Sequence, residues 1–189
     1  MEHMAFGANE KFRSEHAYEQ EFTKNGAYHN AFTSDYSMVY EAACADFEWD
    51  RILELQRLAI TTPRFNAEEL EAEKGNVRSE LTGYLNNHNR VMWPRVQQAL
   101  GEDILTYNQR LKTIDAITLK DIKEHHRRTH TLNNMRFVVA GKLTGRMATI
   151  RESLEQWQLE PGERFAIPHD NLSSAAEVEI GRASCRERV

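Results

Sequence analysis

Along most of this chain apolar residues recur at helical spacing, and in only a few places do they alternate. Residues 14–25 (SEHAYEQEFTKN) read as a helix that Ser14 caps and Gly26 ends. Tyr28–Thr33 and Ser37–Ala42 are two short runs rich in β-formers or alternating in polarity, joined by the turn chemistry of Ser34-Asp35. They predict a β-hairpin. Phe47 to Thr61 carries Ile52, Leu55 and Leu58 at helical spacing before Pro63 stops the run. Asn66 is placed to cap a long helix over 66–87, about 30 Å at 1.5 Å per residue, with Gly75 as a tolerated weak point. A further helix surrounds Val91–Leu100, its start blurred by Pro94.

Thr118 and Asp121 have the spacing of a capping box for a helix over 119–130 (LKDIKEHHRRTH). Asn133-Asn134 then turn the chain into MRFVVAG, an apolar run that predicts a strand buried on both faces. Residues 147–158 close with another amphipathic helix. A hairpin and a later strand set among helices fit an α+β fold, mostly antiparallel sheet packed against helices, better than a regular βαβ alternation.

Composition narrows the class without touching chemistry. The 189 residues suffice for one core, and 40% apolar with 28% charged residues describes a globular protein. No run approaches the roughly 18–20 apolar residues of a membrane span. A net charge of −5 argues against nucleic acid as the main partner. The two cysteines, Cys44 and Cys185, are too few for a disulfide scaffold. Cys44, inside the apolar run VYEAACA, is most simply a small core residue. Ile180–Val189 (IGRASCRERV) crowds charge without periodicity and resembles the in-frame translation of a sequencing adapter. We therefore expect a domain over 1–179 followed by a non-native tail.

Glu2-His3 acquires meaning only from residues further along the chain. The strings EHMAFGANEKF, GAYHNAFTSDYSMVYEA and EKGNVRSELTGY together resemble the insulinase/pitrilysin (inverzincin) family of zinc metallopeptidases. That family's zinc motif is H-x-x-E-H, with a paired E-x6-E about two helices later. Glu2 and His3 match the last two motif residues, and Glu73 and Glu80 match the downstream pair in identity and spacing. Asn133-Asn134-Met135 with Val138-Val139-Ala140-Gly141 resembles the family's later strand, and the resemblance runs from residue 1 to about 160.

The resemblance implies a zinc-dependent endopeptidase holding one zinc ion, with His3 and Glu80 as ligands and Glu2 as general base toward a zinc-activated water. Glu73 would orient a ligand. The first histidine of the motif would fall two positions before Met1, so the chain is expected to begin inside the motif and to be inactive by itself. Asn30 and Ala31 would lie on an edge strand that an extended substrate joins by backbone pairing. Substrates would be peptides or small unfolded proteins. A second insulinase-like domain, in the same chain or another subunit, would close over them.

The physics is consistent with these roles. Histidines at i and i+4 share a helical face, and carboxylates two turns apart share another. Two imidazoles and one carboxylate leave a positive centre with an open position, which lowers the pKa of water there to about 7. Other readings compete. Glu68, Glu69 and Glu71 are solvated charges of an acidic helix. His126 and His130, at i and i+4, lack the adjacent glutamate of a zinc protease and read as a polar helix end favoured by the helix dipole. Trp49, Trp93 and Trp157 read as core or interface residues. The chief alternative function is a non-catalytic partner domain of the same fold.

Overall fold

Ser14 and Gly26 bracket the first helix as the sequence predicts. In the computed structural model, which describes residues 1–34 and 36–166, helix α1 runs Glu15–Thr23. The Ser14 hydroxyl accepts from Ala17 N at 3.3 Å, and Gly26 sits at φ +77°. Strands β1 (Tyr28–Thr33) and β2 (Met38–Ala43) form an antiparallel hairpin, with Asn30 opposite Glu41 and Ala31 opposite Tyr40. The second strand starts one residue later than predicted, because Ser34 and Ser37 close the turn backbone to backbone at 2.7 Å.

Helix α2 (Trp49–Thr61) comes after a 3-10 turn over Asp46–Glu48, so it begins two residues later than the pattern suggested. Its buried face sets Ile52, Leu55, Leu58 and Ala59 against Tyr18 and Phe22 of α1. Full burial of side chains such as Phe22 and Leu58 stabilises by about 1.5–3 kcal/mol each. Helix α3 (Ala67–Tyr84) is capped by Asn66, whose Oδ1 accepts from Glu69 N at 2.8 Å. It stops short of residue 87 because the chain tightens into turns from Leu85 to Asn87. Helix α4 spans His88–Ala99 with Pro94 inside it. Helix α5 (Tyr107–Thr113) was not anticipated, although the Thr106–Gln109 capping box that starts it is readable in hindsight. Helices α6 (Leu119–Thr129) and α7 (Met147–Glu155) fall where their periodicity put them, α6 with the full Thr118–Asp121 box.

The residues cluster into two compact units. The first comprises 1–76 and 115–166, and the second includes 77–114, so α3 contributes to both. Within the first, one core gathers around Tyr18, Phe22, Leu55 and Leu58, and another around Met4, Phe65, Leu70 and Ile122. Ile180–Val189, with Cys185, lies outside the described residues.

The α+β expectation holds, with the hairpin as the sheet among the described residues. Two expectations fail. Residues 135–141 join no ladder among the described residues, and Val138 is 91% exposed, because no neighbouring strand supplies the hydrogen bonds that a buried strand requires. Cys44 is exposed, since it lies one residue past the end of β2 where the pairing stops. Of the tryptophans, Trp157 is buried and Trp93 is 59% exposed.

The stretch 160–166 lies along 131–134 through Leu132 N to Glu160 O (2.9 Å) and Asn133 N to Pro161 O (3.1 Å). Gly162 makes that approach possible. It has φ +63°, and a Cβ there would overlap the buried Thr131 side chain. Gly162→Ala is expected to destabilise the fold by about 1–3 kcal/mol, read as a lower urea midpoint with unchanged slope.

Candidate metal centre

Residues 1–9 are held by the body of the first unit rather than hanging from it. Glu2–Met4 form one 3-10 turn, and Met4 is buried in the core with Phe65, Leu70 and Ile122. Asn9, fully buried, accepts from Lys11 N and Phe12 N at 3.0 Å each through Oδ1. It also bridges to Pro63, while Ala8 O accepts from Arg64 N at 2.7 Å. Asn9 is a buried polar residue with its hydrogen bonds satisfied, as burial demands. The sequence reading overlooked it; the only signal was an asparagine in position to make an Asx turn.

This anchoring delivers Glu2 and His3 to two different neighbours. His3 Nδ1 donates to Glu73 Oε2 of α3 at 3.0 Å. Glu73 Oε1 in turn accepts from Asn76 Nδ2 at 3.0 Å, one turn further on. Because a carboxylate oxygen only accepts, the proton of this bond sits on His3 Nδ1. Glu2 Oε2 accepts from Thr33 Oγ1 at 3.0 Å, which ties the carboxylate to the end of β1. Thr33 was another residue the sequence reading missed. Glu80 stands two turns after Glu73 on α3, where Tyr84 OH donates to its Oε1. Asn30 Nδ2 donates to Glu41 Oε1 at 3.5 Å across the hairpin, and Ala31 occupies the same strand. The far edge of β1 carries no ladder among the described residues.

Glu2 is thus tied to β1, and His3 to Glu73 of α3. No group of three or more His, Cys, Asp or Glu side chains among the described residues is arranged to hold a metal ion. The donor chemistry nevertheless suits zinc. An imidazole whose Nδ1–H is held by a carboxylate is the arrangement usual for a zinc-binding histidine.

His126 and His130, read from the sequence as a polar helix end, make specific contacts with distant segments. Their rings stack at 4.2 Å, His126 Nε2 donates to Ile60 O at 2.9 Å, and His130 Nε2 pairs with Tyr40 OH at 2.8 Å. Burial holds His126 below the usual histidine range. Burial, reinforced by the neighbouring histidines, pulls His130 down to about 3. Both are neutral at pH 7, so the helix-dipole attraction expected for charged imidazoles does not apply. They serve instead to tie α6 to α2 and to the hairpin. Tyr40 also meets Phe6 edge-on, at a ring separation of 6.0 Å.

A family model described as insulinase (peptidase family M16) matches residues 1–112. No curated protein matches. Among solved structures, a protease from Helicobacter pylori superposes with a TM-score of 0.67 at 19% identity, over 89% of this chain and 42% of that one. The first half of the periplasmic protease PqqL from Escherichia coli superposes with a TM-score of 0.68 at 18% identity, over 89% of this chain and 38% of that one. The chain therefore spans about two fifths of the length of these solved structures.

Proposed function

The chain belongs to the insulinase family, peptidase family M16, and from that premise we propose that it carries part of a zinc-dependent endopeptidase site. His3 and Glu80 are the metal ligands, Glu2 is the general base, and Glu73 positions His3. A second histidine two places ahead of Met1 is needed to complete the motif. Zinc, when bound, supplies a Lewis acid that acidifies water and polarises a peptide carbonyl.

The observation that carries the reading is the 3.0 Å bond from His3 Nδ1 to Glu73 Oε2. It joins two residues seventy positions apart in the pattern that orients an imidazole toward a metal. Glu2, with one oxygen held by Thr33, takes a proton from water on its other oxygen and passes it to the leaving amine. That role needs a carboxylate placed beside the site without being consumed as a ligand. Backbone pairing along the open edge of β1 at Asn30 and Ala31 holds an extended peptide in register. Substrates are peptides or small unfolded proteins, and a second insulinase-like domain is the partner that encloses them. Among the described residues no helix is long and apolar enough to cross a membrane.

Zinc titration tests the arrangement. Extending the chain by His-Ala ahead of Met1 is expected to tighten zinc binding by at least about 100-fold over the 189-residue chain, a third ligand having been added to the site. In that extended chain Glu73→Gln should weaken binding about 10- to 100-fold, as loss of an orienting partner does. Equal affinity with and without the added histidine would refute the proposed ligand set.

A further inference from the structure

Glu80 is an exposed residue of α3, and a glutamate on a solvated helix face gives up much rotamer freedom when it is held in one geometry. Its neighbour one turn on, Tyr84, is half-buried and donates through its hydroxyl to Glu80 Oε1. Residues at this spacing face each other on a helix, so the sequence spacing alone allows the bond. The Tyr84 ring is in turn held from two other helices. The Arg90 guanidinium, in the first turn of α4, lies 4.0 Å from the ring centre. The ring of Tyr107, first residue of α5, lies 5.3 Å away and tilted. Both of those helices start from a cap that fixes the first turn. Asn87 Oδ1 accepts from Arg90 N at 3.2 Å, and Thr106 Oγ1 accepts from Gln109 N at 3.4 Å. A cation over an aromatic face and a tilted pair of rings each favour one ring position over others. A lone glutamate–tyrosine pair on a helix surface would lack that backing.

We propose that Tyr84 is a positioning residue for Glu80: its phenol, seated against Arg90 and Tyr107, holds the carboxylate in one orientation before a metal ion arrives. This role rests on the reading of Glu80 as a ligand and adds the group that presents it. Ordering a ligand in advance removes part of the cost that binding otherwise carries. Groups that hydrogen-bond a ligating carboxylate serve metal sites in this way. The phenol is suited to the task because it keeps its proton. The bond to Glu80, helped by burial, raises the Tyr84 hydroxyl above the usual tyrosine range, and Arg90 opposes this only in part. At neutral pH the hydroxyl therefore remains a donor. Phenylalanine at this position would keep the ring between its neighbours and lose only that donor.

Zinc titration of the 189-residue chain extended by His-Ala ahead of Met1 supplies the first measurement. Tyr84→Phe, with an unchanged circular dichroism spectrum, is expected to weaken zinc binding about 10- to 100-fold. Glu80→Ala should weaken it at least as much. In the Glu80→Ala background Tyr84→Phe should have no further effect, because a residue that acts through another is silent once the other is gone. The second measurement needs no metal. In the 189-residue chain with NMR-labelled tyrosine rings, the Tyr84 signal, assigned from its loss in Tyr84→Phe, should titrate closer to about 10 in Glu80→Gln than in the parent. Unchanged zinc affinity in Tyr84→Phe overturns the inference. So does an equal loss with and without the Glu80 carboxylate, or a phenol titration that Glu80→Gln does not move. If Glu80→Ala binds zinc as tightly as its parent, Glu80 is not a ligand and both readings fall. A loss in Glu80→Ala with none in Tyr84→Phe removes Tyr84 alone and leaves the ligand standing.

Discussion

Glu2→Gln is expected to lower peptide hydrolysis by about 100- to 10,000-fold in a protein whose zinc motif is complete, the range a positioned acid–base group contributes. The carboxamide keeps the shape of the side chain, and its oxygen still accepts from Thr33 Oγ1, which lies 3.0 Å from Glu2 Oε2. What it loses is the ability to take a proton. Zinc affinity should therefore stay within about threefold of the parent, since the proposed ligands His3 and Glu80 and the orienting Glu73 are untouched. A quenched-fluorescence peptide assay and a zinc titration on the same preparations separate the two quantities. If both fell together, Glu2 would be a ligand rather than a base. The 189-residue chain by itself is expected to show no zinc-dependent cleavage, and activity there would contradict the proposed role of the upstream histidine.

The second large effect is on stability in acid. His130 titrates at about 3 in the folded chain against about 6.5 for an unperturbed histidine, because burial disfavours the imidazolium and His126 stacks against it. The unfolded chain therefore binds the proton first. Stability is complete above pH 6.5, is lost as pH falls from there toward 3, and levels off below. The loss attributable to this ring is on the order of 2–4 kcal/mol. His126, also lowered by burial, adds in the same direction. His130→Gln keeps a hydrogen-bonding group toward Tyr40 but does not titrate. Urea unfolding at pH 7 and pH 4.5 should then show a smaller difference for the variant than for the parent. An undiminished difference would place the acid lability elsewhere. The consequence reaches the candidate site, because Tyr40 lies on β2, opposite Ala31 in the strand that also carries Thr33.

Much of the local structure was legible because it depends on neighbours in sequence. Ser14, Asn66 and Thr118 cap helices through side chain to backbone bonds that span three residues, so the signal and its partner lie side by side. The hairpin was equally readable, since its turn and its two alternating runs are adjacent. The resemblance carried by Glu2, His3, Glu73 and Glu80 supplied roles for these side chains before any distance was available. The link between His3 and Glu73 was implied, though its geometry was not. Which nitrogen of His3 meets the carboxylate depends on how residues 1–9 are pinned by Asn9 and Met4.

The failures have a common cause. MRFVVAG has a strand's composition, but a strand exists only where a second backbone completes its hydrogen bonds, and composition does not say whether one is present. His126 and His130 read only as a polar helix end because their partners, Ile60 and Tyr40, lie 66 and 90 residues away. Helix positions, caps, turns and the identity of the catalytic family were contained in the order of residues, since each rests on short-range geometry or on a pattern of residue types. The pairing of Glu2 with Thr33, the neutral state of His130 and the exposure of Val138 came from folding alone. They depend on desolvation and on contacts between distant segments, and those come into being only when the chain packs.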